Sequence, residues 1–265
     1  MTRRRAGKYG AAPRDHRTWP KLEDYLTAPL PQPPPVVDWM SKVASWPMYA
    51  NGPDPANPAG VPDGCGDCTF ATIGHTVQAW TAYAGTETTL PLAPLLAGYE
   101  QVGGYVPGDP STDQGCQPAD VLNYWMDQGV GGHKIDAWAT LANPQDPWLL
   151  KRCLNLFGSV YLAIQVPQSA EDQFSEGLPW TASPRSPLAG RHAVPLQRFA
   201  DGEFGCMEVV TWAAVQRMTL RFARQNIIDA YVAYSRDFLE ANGLTPGGLD
   251  VAQLQQDLAA ARCAQ

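Results

Sequence analysis

The sequence predicts an α+β fold in which a helical lobe precedes a β-rich lobe, with an N-terminal Pro-rich arm and a C-terminal helix. Three observations carry this. Apolar residues recur at helical spacing up to about residue 130, apolar and β-branched runs replace them afterwards, and Gly/Pro loops punctuate both halves. With 265 residues and 45% hydrophobic content, the chain can bury one large core or one core shared by two lobes.

The elements follow in order. Residues 1–17 hold six Arg or Lys and one Asp, a net +5, against −12 for the rest of the chain, whose total is −7. A basic arm followed by Pro20, Pro29, Pro31, Pro33, Pro34 and Pro35 reads as an extended strap or linker over 1–36. The domain proper is expected over 37–240, its helical lobe over about 60–132 and its β lobe over about 133–235. Phe70, Ala71, Ile73, Val77 and Trp80 place a helix from Cys68 to about Tyr83, with Gly85 in the stop position. Further helices are expected over Leu90–Gln101, Pro118–Gln128 and Pro144–Leu156. Strands are expected over Ile135–Leu141 and Val160–Val166. His192–Phe199 and Gly205–Trp212 read as a hairpin turning at Asp201-Gly202. Thr219–Tyr234 mixes helical and strand cues, and 241–265 is a helical tail with Asp250 as N-cap.

Composition excludes several classes. No apolar run reaches the roughly 18 residues that a membrane span needs. Met1-Thr2-Arg3-Arg4-Arg5 lacks the apolar stretch of a secretory signal, so a soluble protein is expected, not exported by that route and without a membrane partner. The acidic body argues against nucleic acid as partner except through residues 1–17. The basic arm is expected to contact an acidic protein surface.

The chemistry centres on Gly64-Cys65-Gly66-Asp67-Cys68-Thr69, which sets a cysteine at the mouth of a helix, where the unpaired N–H groups and the dipole favour a thiolate. A zinc site needs a second ligand pair, and none follows at the right spacing. A thioredoxin-type pair needs a preceding strand, and a proline loop stands there instead. Nucleophilic catalysis with a distant histidine is the third reading. Of the histidines, His75 reads as a packing residue inside the first helix and His133 as a turn residue.

Cys65-Gly66-Asp67-Cys68-Thr69-Phe70-Ala71, then Gly115-Cys116-Gln117-Pro118, Gly158-Ser159-Val160, Gly190-Arg191-His192-Ala193-Val194 and Thr211-Trp212 stand in one order along the chain. In that order they resemble the segments of the papain-like cysteine peptidases. More narrowly, Gly66-Asp67-Cys68-Thr69 with Gly131-Gly132-His133-Lys134-Ile135 is similar to a divergent papain-like group of bacteriophage and bacterial genomes. The resemblance implies a two-lobed papain-like fold, Cys68 as nucleophile and His192 as its base, Trp212 near the site, a Cys65–Cys116 disulfide worth about 4 kcal/mol, and no cofactor or metal. It also exposes departures. The family's oxyanion glutamine falls on Pro62 and its orienting asparagine on Val210, and the glycine after the tryptophan on Ala213. Asn51 is the candidate oxyanion donor in compensation, and Glu208 or Asp201 the candidate orienter.

Two functions follow. One is a papain-like thiol hydrolase, in degenerate form, acting on amide bonds of a peptide substrate through a Cys68–His192 dyad. The alternative is a bacteriophage virion structural protein, capsid- or tail-associated, whose inactive papain-like fold contacts neighbouring subunits; virion or host cytoplasm is the expected location.

Overall fold

A computed structural model describes residues 4, 6–51, 64–202, 205–236, 238 and 250–264. The three helices of the first lobe are α1 (Cys68–Ala84), α2 (Leu92–Gly103) and α3 (Pro118–Asp127), and they pack on one another. α1 stops at Gly85, whose φ of 109° suits a residue without Cβ. α3 opens on Pro118, where no intrahelical N–H is needed.

The second lobe is built on one antiparallel sheet. Its strands are β1 (Val36–Asp38), β2 (Ala137–Thr140), β3 (Val160–Pro167), β4 (Leu188–Ala200), β5 (Cys206–Thr211), β6 (Ala214–Thr219) and β7 (Ile227–Tyr234). The order is β2-β7-β3-β4-β5-β6, with β1 added on β4. Helices α4 (Pro147–Phe157), α5 (Gln168–Glu176) and α6 (Leu220–Asn226) pack against it. The last helix, α7 (Val251–Cys263), is capped by Asp250, which accepts the Gln253 N–H at 3.0 Å. The expected α+β, helical-then-β architecture is present.

Three elements were not legible. β1 is three residues long and hides at the end of the proline strap. α5 is polar apart from Ala170 and Phe174. β6 is separated from β5 by only Trp212 and Ala213, and the strand expected over Gly205–Trp212 ends before it. The mixed cues of Thr219–Tyr234 resolve into α6 followed by β7.

α1 lies across β4, so the N-terminus of the first-lobe helix meets the central strand of the second. The strap belongs to the packed body. Trp19 and Leu22 are buried, Trp19 packing on Trp138 at 5.0 Å, and the Pro20 carbonyl accepts the Thr140 N–H at 2.9 Å. Tyr25 bonds Asp257 of α7 at 2.8 Å, which joins the arm to the C-terminal helix. Three basic residues of the arm form ion pairs within the chain: Lys8–Asp113 3.5 Å, Arg14–Asp229 3.4 Å and Arg17–Asp120 2.7 Å.

Candidate active site

Cys68 is the first residue of α1 and has no exposed surface. Its Sγ accepts the Ala193 N–H at 3.4 Å, a contact made across the two lobes to the residue after His192. His192 stands on β4, opposite Ile164 of β3, and is equally buried. Its Nε2 is 2.6 Å from Thr211 Oγ1, and its Nδ1 has no hydrogen-bond partner. The imidazole stacks on Trp212, with centroids 4.7 Å apart and planes 21° apart.

Thr211 and Trp212 owe their places to a tight turn. Thr211 closes β5 opposite Ala214 of β6, and the two residues between, Trp212 and Ala213, have φ of 47° and 58°. This is the two-residue hairpin whose twist suits the flanking strands. A bulky side chain in the left-handed region costs about 1–2 kcal/mol, and the stack of Trp212 on His192 together with its edge-to-face contact with Phe174 (4.8 Å) opposes that cost. Ala213 holds a φ that glycine adopts without strain.

The other residues expected at the site lie elsewhere. Glu208 accepts from Arg198 at 2.8 Å and Arg217 at 3.0 Å, in a network that Arg198 extends to Asp38. Asp201 holds Lys151 at 2.6 Å. Thr211, rather than either carboxylate, is the hydrogen-bonding group at the imidazole. Val210 is buried and paired with Val215, on the opposite face from Thr211 because strand side chains alternate. In the sequence Thr211 is marked only by standing beside Trp212, one residue after Val210, the position on which the family's orienting asparagine falls. Cys65 and Cys116 are both buried free thiols, so the expected disulfide is corrected: no disulfide is present among the described residues. Asn51 ends a one-turn 3₁₀ segment, Tyr49–Asn51, and its side chain lies outside the described residues, as does Pro62. His75 is buried in α1 between Trp46 and Tyr49, and His133 sits in a turn with Val130. No cluster of potential metal ligands occurs among the described residues.

The cleft between α1 and β4 is occupied by the arm. Gly10 is buried, and a Cβ added to it would stand 1.6 Å from the Gly66 carbonyl oxygen. The Cys116 N–H donates to the Gly10 carbonyl at 2.9 Å, Ala12 N–H to the Cys116 carbonyl at 3.0 Å, and Ala11 N–H to the Arg191 carbonyl at 3.3 Å. Tyr9 lies edge-on to both His192 (5.9 Å) and Trp212 (5.8 Å), and its hydroxyl donates to Glu171 Oε1 at 2.5 Å.

Covering the cleft sets its electrostatics. Burial pushes the Cys68 thiol up to about 12; the Ala193 amide favours the thiolate, Asp67 opposes it, and the Gly10 and Thr69 amides favour it. Burial pushes His192 down to about 3, with His75 adding to the effect. The proton therefore stays on sulfur, and the covered site holds a neutral thiol and a neutral imidazole.

No protein-family model and no curated protein matches the sequence. Solved structures do match in fold. Xylellain, a cysteine protease from Xylella fastidiosa, superposes with a TM-score of 0.62 at 16% identity, over 89% of this chain and 98% of that one. The chain has the papain-like fold. A procathepsin B from Trypanosoma congolense gives 0.56 at 14% identity over 85% and 86% of the two chains. The procathepsin L 3 of Tenebrio molitor larval midgut gives 0.54 at 15% identity over 88% and 76%. Placed in this fold, Cys68 heads the helix at the lobe interface and His192 occupies the facing strand.

Proposed function

We propose that the protein is a papain-type thiol hydrolase acting on amide bonds, with Cys68 as nucleophile and His192 as proton acceptor and donor. The observation that supports this is a juxtaposition at the lobe interface: the Cys68 sulfur accepts the N–H of Ala193, the residue after His192, and Thr211 bonds His192 at Nε2, which leaves Nδ1 unpartnered. When Nε2–H donates to Thr211, Nδ1 keeps its lone pair and serves as base. The Cys68 proton passes to Nδ1, and the thiolate attacks the carbonyl carbon, whose oxygen gains charge beside the helix N-terminus. His192 then protonates the departing amine, and water releases the acyl group from sulfur. The Cys68 backbone N–H, unpaired within the helix, is the donor offered to the oxyanion. Xylellain is a cysteine protease by name, and the other two are procathepsins.

The arm makes this a covered enzyme. It uses the Cys116 amide, the Cys116 carbonyl and the Arg191 carbonyl, backbone groups that an extended peptide would need. The same coverage favours a second reading, a virion structural protein in which the cleft is permanently closed and the papain-like body serves contacts with neighbouring subunits. Alkylation of Cys68 by iodoacetamide separates them. Gly10→Ala cannot seat against Gly66, so for a hydrolase it raises the Cys68 labelling rate about tenfold or more, and adding His192→Ala removes the rate's dependence on imidazole ionisation. A thiol in Gly10→Ala that labels slowly and with the same pH profile in both backgrounds would sink the hydrolase.

A further inference from the structure

We infer that the cleft contains a tyrosine-recognition pocket, formed by Glu171, Gly190, His192 and Trp212, that Tyr9 fills in the resting chain and that a tyrosine side chain on an extended peptide fills in its place. The inference rests on the hydrolase reading only for calling that peptide a substrate; the binding itself is testable without turnover.

The pocket is shaped on every side that Tyr9 touches. Gly190 forms one wall, since a Cβ there would lie 2.3 Å from the Tyr9 ring. The His192 and Trp212 rings form another, both met at an edge, with interplanar angles of 89° and 75°. Edge-to-face contact suits the quadrupoles of aromatic rings and selects a flat aromatic group over an aliphatic one. At the far end the Glu171 carboxylate accepts the phenol hydrogen, while its second oxygen accepts from Gln168 Nε2 at 2.5 Å. Burial and the neighbouring carboxylate raise the Tyr9 pKa, which keeps the phenol in its donor form. A phenylalanine would leave the half-buried Glu171 without that donor, and a site built around a hydroxyl rejects the analogue that lacks it.

The neighbouring residue fixes the register. With Tyr9 in the pocket, the next residue must pass Gly66, whose carbonyl oxygen would stand 1.6 Å from a Cβ added to Gly10. Tyr-Gly is therefore the dipeptide the cradle accepts, and Tyr9-Gly10 supplies it in cis. A peptide from outside competes with a tethered segment, so its affinity for the wild-type chain is reduced by the fraction of chains in which the pocket is open.

The test uses the full-length chain carrying Tyr9→Ala, which empties the pocket, and two probes, acetyl-Tyr-Gly-Ala-amide and its Phe counterpart. Binding is read by calorimetry and by protection of Cys68 from iodoacetamide. The Tyr probe is expected to bind about tenfold more tightly than the Phe probe, the scale of one hydrogen bond to a charged group. Glu171→Gln in the same background is expected to reduce that preference to about twofold. Equal binding of the two probes, or a preference that Glu171→Gln leaves intact, overturns the pocket. Where Tyr9→Ala does not fold, Tyr9→Phe keeps the ring and removes only the Glu171 bond; Cys68 alkylation is then expected to rise about tenfold, and an unchanged rate overturns the proposal. Tyrosine-selective binding without hydrolysis supports the pocket and counts only against the hydrolase; hydrolysis without the selectivity overturns the pocket.

Discussion

Thr211 Oγ1 lies 2.6 Å from His192 Nε2, and that hydroxyl is the imidazole's hydrogen-bond partner in a fully buried setting. A hydroxyl can donate or accept, whereas a carboxylate only accepts. The threonine therefore orients the ring without a charge that would hold the imidazolium, consistent with the imidazole's low pKa in the covered cleft.

Thr211→Val keeps the shape of the side chain and removes the bond. In the Gly10→Ala background, where the thiol is uncovered, the His192-dependent part of Cys68 alkylation is expected to fall roughly 10-fold to 100-fold. Thr211→Ser restores it, because the hydroxyl returns. A purely structural role would leave the pH profile of labelling unmoved in all three forms, and that result would remove Thr211 from the machinery.

The places of Cys68 and His192 in the fold were legible from local patterns: a cysteine at the start of an apolar helical stripe, and a histidine in Gly190-Arg191-His192-Ala193-Val194, the segment that resembles the family's histidine strand. The capped helices were legible for the same reason, Gly85 and Asp250 marking ends by their backbone chemistry. Contacts between distant segments left no such mark. That Glu208 is taken by Arg198 and Arg217 depends on strand register, and that Tyr9-Gly10 fills the cleft depends on three glycines, 66, 115 and 190, which in sequence stand only as parts of the family-like segments. The charge of the basic arm is plain in the sequence; that Lys8, Arg14 and Arg17 pair with Asp113, Asp229 and Asp120 follows only from the folded arrangement.

Asp67, just before the nucleophile, gives stability a pH dependence of known sign. Its carboxyl is fully buried, with Oδ2 accepting the Ala50 N–H at 3.2 Å and Oδ1 unpartnered. Burial raises its pKa to about 8, against the Ala50 amide and with help from Asp113. The unfolded chain releases this proton near pH 4 while the folded chain keeps it to about pH 8, so the unfolded state is favoured progressively as pH rises between them. Below pH 6.5 the buried His75 and His192, both lowered to about 3, work in the opposite sense, losing stability as pH falls. Between about pH 6.5 and 8 the histidines are neutral in both states, and Asp67 acts alone among these three. Urea unfolding there should show stability falling by up to about 1.4 kcal/mol per pH unit. Asp67→Asn, neutral at every pH and still an acceptor for Ala50, should flatten the slope; a slope that survives the substitution assigns it to another group.

Lys151 and Asp201 supply a test in which stability and chemistry should part. Lys151, on α4, has a side chain only 2% exposed, and its ammonium reaches Asp201 at 2.6 Å and the Pro35 carbonyl at 3.1 Å, with Trp148 and Phe199 facing it at 5.8 and 5.5 Å. One buried cation thus ties α4 to the turn after β4 and to the strap entering β1. Asp201→Ala strands that cation and is expected to cost about 2 kcal/mol, less than for a fully buried pair because Asp201 is 36% exposed and water can take its place. Lys151→Met removes the charge but keeps an apolar stem among the aromatic rings, and it is expected to stay within about 1 kcal/mol of wild type. Neither change should alter the rate or pH profile of Cys68 alkylation in the Gly10→Ala background, since the imidazole is oriented by Thr211. A shifted alkylation profile in Asp201→Ala would restore the carboxylate to the site and undo the assignment made to the threonine.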